Sequence, residues 1–131
     1  MNTAKLLVVI DIHDLVADTP RLVTSAADLV ETYGGTAPKD NRSFWGAIEV
    51  INHISPASMM FVISSDKFVD YMNDCNNKRE MEFTSIMAQN LSYDYGQKQN
   101  LISCVARLDA TQSLLSDFVL MIDLPEENQN G

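Results

Sequence analysis

One short apolar run constrains this chain more than any other feature. It is Lys5–Ile12, KLLVVIDI, closed by Asp11-Ile-His-Asp14. A strand with one wet face would alternate polar and apolar residues. This run does not alternate, so both of its faces are expected to be buried. A strand covered on both sides sits in the middle of a sheet, with helices packed above and below it. The remaining residues can be read as what surrounds that strand.

The chain has 131 residues, enough for one domain with one sizeable core. We place that domain at residues 1–124. Residues 125–131 are acidic, amide-rich and free of apolar side chains, and read as the start of a flexible C-terminal linker or tail. Apolar residues make up 46% and charged residues 21%, which fits a folded globular chain and not a disordered one. The net charge of −9 makes the body as a whole unattractive to nucleic acid and to anionic membranes, although a local basic patch could still hold phosphate. The same acidity admits an inhibitor that mimics nucleic acid, a third-ranked reading here. The N-terminal apolar stretch is too short to span a membrane, and no small-residue cleavage site follows it. Cys75 and Cys104 read as reduced, buried or half-buried thiols. With no CxxC and with His13 and His53 far apart, no zinc site assembles by spacing.

Downstream, Thr19-Pro20 is expected to open a helix that carries Leu22, Ala26, Leu29 and Tyr33 inward and stops at Gly34-Gly35. A loop spans Thr36–Arg42, and a second helix is predicted over Ser43–Ile54. Met59–Ile63 reads as the second buried strand. Ser64-Ser65-Asp66 caps a third helix that breaks near Asn76-Asn77, with Asp66, Asp70 and Asp74 on its wet side. A further helix is predicted over Lys78–Leu91, with Phe83, Ile86, Met87 and Leu91 inward. A loop follows over Ser92–Asn100. Leu101–Leu108 reads as the third strand, Asp109–Ser116 as a short helix, and Phe118–Ile122 as the last strand. The predicted fold is therefore a small three-layer α/β domain. It has a mostly parallel four-stranded sheet and helices on both faces.

In such a sheet, ligands bind beyond the carboxyl ends of the strands. Asp11, Asp14, Asp66, Asp109 and Asp123 are expected at those ends. Asp11, Asp14, Asp66 and Asp123 could together hold magnesium and activate water for phosphodiester cleavage. The first-strand Asp and the Ser-Ser-Asp after the second strand resemble small metal-dependent nucleases with a PIN-like fold. The rival role for each acid is to cap a helix or satisfy a turn. No glycine-rich phosphate loop and no nucleophile turn occurs, and no cofactor is expected. Among the bases, Lys39 with Arg42, and Lys78 with Arg79, are candidate phosphate contacts. Lys78 is also spaced to pair with Asp74 along a helix. Phe44 and Trp45 are adjacent on one helix, so they cannot both face the core, and one is a candidate interface anchor.

The stretch Arg21–Ala37, RLVTSAADLVETYGGTA, resembles the first helix and Gly-Gly turn of BRCT domains. MMFVISSD is similar to a later strand of that family. Taken whole, the chain resembles the folded core of accessory packaging proteins of cystoviruses, the enveloped dsRNA phages. That resemblance implies a non-enzymatic homodimer in the virion core, assembled in the host cytoplasm. It would contact capsid and polymerase-complex proteins and single-stranded RNA, and would have no membrane association.

Overall fold

The computed structural model describes residues 4–11, 19–35, 38–88, 91, 94–111 and 119–122. Nine elements follow one another: β1 (Lys5–Ile10), β2 (Arg21–Val23), α1 (Ala26–Tyr33), α2 (Arg42–His53), β3 (Met59–Ser64), α3 (Ser65–Lys78), β4 (Ser85–Ala88), α4 (Tyr95–Thr111) and β5 (Val119–Ile122). The five strands form one mixed sheet in the order β2-β3-β1-β4-β5. β3, β1, β4 and β5 run parallel, and β2 lies antiparallel against β3.

β1 occupies the middle, as its unbroken apolar run requires. Leu7, Val8, Val9 and Ile10 are all buried. Their side chains alternate across the sheet, so each face receives its own core. Val8 and Ile10 join Met60, Val62 and Met87 beneath Leu29 of α1 and Phe44 and Ala47 of α2. Leu7 and Val9 join Ile63, Ile86 and Ala88 beneath Phe68, Met72 and Cys75 of α3 and Leu101 and Cys104 of α4. Helices thus cover both faces, and the α/β class expected from the first strand is observed.

Several elements differ from the sequence reading. The sheet has five strands, not four. Arg21–Val23, expected inside a helix, is the edge strand β2. The helix begins at Ala26, six residues after Pro20, the first helical position expected from the sequence. Ser25 caps it by accepting from the Asp28 N–H, and the Asp28 carboxylate accepts from the Thr24 N–H at 2.9 Å. This local exchange of bonds fixes the start better than Thr19-Pro20 could. The stop at Gly34 holds: its φ of 119° is open to glycine and strained for other residues.

α3 runs through Asn76-Asn77 to Lys78 and ends at Arg79, which adopts the left-handed conformation with φ 54°. The stretch predicted as a helix over Lys78–Leu91 instead contains β4. Phe83 is buried just before that strand, and Ile86, Met87 and Ala88 are consecutive and all buried. Burial of consecutive residues needs two covered faces, which a strand has. Leu101–Leu108, expected as a strand, lies within α4, and so does Asp109, expected at a strand end. β5 coincides with the last predicted strand over Val119–Ile122. The expected tail at 125–131 lies outside the described residues.

Both cysteines are buried thiols, and both lie on helices. Burial raises the Cys75 thiol above its ordinary range, and burial likewise raises the neighbouring Tyr71 phenol. A group whose folded pKa is raised contributes stability that is complete below its unfolded pKa and is lost as pH climbs through the folded one. Stability should therefore hold at neutral pH and fall from about pH 9 upward, where these two groups ionise in the unfolded chain. Urea denaturation across that range checks this, and Tyr71→Phe should flatten the loss. Phe83 is fully buried and meets Phe61 edge-on at 5.2 Å between ring centroids. Phe83→Ala should cost about 3–5 kcal/mol in the same assay.

Candidate functional site

The described end of β1 is tied to the start of α2 by two side chains. Ser43 Oγ accepts from the Asp11 N–H at 2.9 Å, and Asn41 Nδ2 donates to the Asp11 carbonyl at 2.7 Å. Asn41 also caps α2. Its Oδ1 accepts from the Phe44 N–H at 3.0 Å and from the Ser43 hydroxyl at 2.6 Å. One asparagine therefore satisfies a helix start and a strand end at once. The first turn of α2 is held at the carboxyl edge of the sheet.

From that first turn two aromatic rings diverge. Phe44 is fully buried in the core on the α1–α2 side. Its candidacy as an interface residue is corrected: the ring packs against Tyr33, with centroids 5.2 Å apart, and has no outward face. Trp45 is 46% exposed. Its indole N–H donates to the Pro38 carbonyl at 2.7 Å, and its ring stands at 88° to that of Phe44 with centroids 5.3 Å apart. The ring is thus fixed in place without using its outer surface.

Lys39 and Arg42 are exposed on either side of Asn41, and neither forms an ion pair among the described residues. Arg42 precedes Trp45 by three residues, so both lie on the same stretch of helix surface. Asp40 and Glu49 are exposed nearby, which leaves the patch close to neutral. Lys78 and Arg79 lie elsewhere. They sit at the far end of α3, on the opposite face of the sheet and toward its amino edge. Lys78 pairs with Asp74 at 3.0 Å, as its spacing predicted, and that hydrogen bond raises the Lys78 pKa. The four candidate cations therefore do not form one surface.

Of the four aspartates in the candidate metal set, Asp14 and Asp123 lie outside the described residues. Asp11 is half-buried at the end of β1, and Asp66 is exposed in the first turn of α3. Among the described residues no group of three or more His, Cys, Asp or Glu side chains is placed to hold a metal ion. Asp70 and Asp74 are solvated, as expected. No described helix is long and apolar enough to cross a membrane.

A concavity of about 390 Å³ opens at the amino end of β3. It is lined by Leu22, Ile51, Ile54, Pro56 and Met59. The sequence offers no route to it, because the expected helix carries Leu22 inward, whereas Leu22 lies on the edge strand. The chain matches no family model, and neither the curated proteins nor the solved structures contain a significant match.

Asn41→Ala removes both the cap and the strand tie, and should destabilise the protein by about 2–3 kcal/mol in denaturant titration. Asn41→Asp keeps the capping acceptor but sets a carboxylate oxygen against the Asp11 carbonyl, so it should also destabilise the protein in the same titration.

Proposed function

We propose that this chain is a non-enzymatic binding domain. It serves as a homodimeric assembly or packaging factor of the kind found in cystoviral polymerase complexes, acting through contacts with protein and RNA inside the virion core. The observation that carries the binding role is Trp45. A large aromatic ring is immobilised by an internal hydrogen bond and an edge-on contact, yet nearly half of it faces outward. Holding a ring in place before a partner arrives lowers the entropy lost on binding. Tryptophan is also among the residues enriched at interface anchors. The BRCT-like description is supported by the α1 helix and its Gly34-Gly35 turn. The antiparallel strand β2 departs from a purely parallel sheet.

A magnesium-dependent nuclease is the second reading. Asp11 favours it, because β1 is the strand from which the sheet grows to either side. The carboxyl end of such a strand borders the crevice where open α/β sheets bind ligands. The test is cleavage of labelled single-stranded RNA in magnesium and in EDTA. Intact RNA under both conditions is expected. Metal-dependent shortening that Asp11→Asn abolishes would replace the binding role with the catalytic one.

Sedimentation velocity tests the assembly role directly. A dimer is expected at micromolar concentration. A monomer persisting to high micromolar concentration would remove the homodimer.

A further inference from the structure

The path from β1 to β3 is longer than the fold requires. Two parallel strands need one crossover helix, and α2 alone is enough. It starts beside Asp11 at the carboxyl edge of the sheet, and Ile54 at its end shares a concavity with Met59 at the amino edge. Before α2 the chain makes an excursion that returns to its starting point. β2 descends antiparallel to β3, and α1 climbs back until Tyr33 meets Asn41, whose amide donates to the Asp11 carbonyl at 2.7 Å. The excursion adds α1 over one core and lays a strand along the otherwise free side of β3.

That side of β3 is hazardous when open. Met59–Ser64, MMFVIS, is six residues long and carries no charge, proline or glycine. Uncharged apolar segments of this length pair readily with copies of themselves. β2 meets Met60, Phe61 and Val62 at the middle of the segment. β2 itself is built to the opposite pattern. It has three residues, and one of them is the exposed Arg21. Pro20 just ahead of it has no N–H, and the Thr24 N–H just after it is bonded to the Asp28 carboxylate at 2.9 Å. Shortness, charge and proline are the devices by which edge strands avoid pairing with other chains.

We infer that β2 is an edge guard. It occupies the side of β3 that a second copy of the chain would otherwise pair with, and its own outer side is too short and interrupted to extend the sheet. Its antiparallel direction suits this role, because a descending strand leaves β1 with no crossover of its own. The inference does not rest on the binding role proposed above, and the guarded edge does not include Trp45.

Two kinds of variant of the full chain test the guard. Sedimentation velocity and thioflavin T fluorescence read association against the parent, and near-ultraviolet circular dichroism reports the native core. Pro20→Val with Arg21→Val lengthens β2 and removes its charge. The fold should be retained and self-association should tighten about ten-fold or more, as a few added cross-strand pairs would give. A role for β2 in stability alone predicts no tightening. Leu22→Pro and Val23→Pro act on the guard from within. Neighbouring residues of an antiparallel strand turn their N–H groups to opposite sides, so one of these prolines removes a bond to β3 and the other does not. The first should form thioflavin-positive assemblies that grow with concentration, and the second should resemble the parent.

Leu101→Ala is the control for instability alone, because Leu101 is buried under α4 on the other face of the sheet from α1. Assemblies formed equally by Leu101→Ala at the same fraction folded would trace them to unfolded chain and overturn the guard. Parent-like association in the lengthened strand and in both prolines would overturn it too. If both prolines lose the near-ultraviolet signal, the joint Pro20→Val and Arg21→Val variant decides alone: association of its native fold supports the guard, and its absence overturns it. The state of the parent reports separately on the proposed homodimer, so either idea can fail while the other stands.

Discussion

Burial of β1 on both faces is the constraint on which everything else depends. Its residues Leu7 to Ile10 send side chains alternately into two separate cores, and its backbone pairs with β3 on one side and β4 on the other. Such a strand has no outlet to water along its middle. Polar groups can therefore approach it only at its ends. At the amino end, Thr84 accepts from the Lys5 N–H through its hydroxyl at 3.2 Å and donates to the Lys5 carbonyl through its own N–H at 2.9 Å. At the carboxyl end, Asn41 and Ser43 hold the backbone of Asp11. The geometry of the outer surface is inherited from these two fixed points.

The line from core to surface can be followed residue by residue. The apolar run sets the strand, and the strand end fixes Asn41. Asn41 caps α2 and so determines where its first turn lies. That turn aims Phe44 inward and leaves Trp45 outside, braced by its buried neighbour and by Pro38. A surface aromatic positioned in this way is as rigid as the core it stands on. Tyr33 completes the brace, meeting Phe44 edge-on while its hydroxyl accepts from Asn41 Nδ2 at 3.4 Å.

Much of this was legible in the chain, and the failures have physical reasons. β1, β3, α2 and the glycine stop of α1 were readable because each combines an apolar pattern with its own punctuation. The errors fall where a short apolar run could be either helix or strand. LISCVARL is eight residues long and apolar enough for a buried strand. Its helical state is decided upstream, where Asp94 Oδ1 accepts from the Gln97 N–H at 2.7 Å and Gln97 Oε1 accepts from the Asp94 N–H at 2.9 Å. That reciprocal pair is a capping signal written in the sequence as Asp-x-x-Gln, within a stretch whose polarity by itself suggests a loop. Phe83, Ile86, Met87 and Leu91 match helical spacing by coincidence, and tertiary burial on two faces overrides it. Trp45 itself was half legible. Adjacency to Phe44 showed that one ring must turn away from the core, but only the cap position shows which.

The order of the strands also bears on how the chain reaches this state. β1 comes first in sequence, yet it has no partner nearby: its register with β3 joins Lys5 to Met59, and the bond from the Thr84 N–H reaches back across 79 positions to Lys5. The most apolar segment of the protein must therefore wait, unpaired, while roughly fifty later residues are synthesised. Parallel pairing at such separations is slow, because loop closure must be completed before the pairing is rewarded. During that interval KLLVVI is an exposed sticky strand, and a nascent chain carrying it is most vulnerable to aggregation before Met59–Ser64 has emerged. The same run that gives the folded domain its centre gives the newborn chain its main hazard.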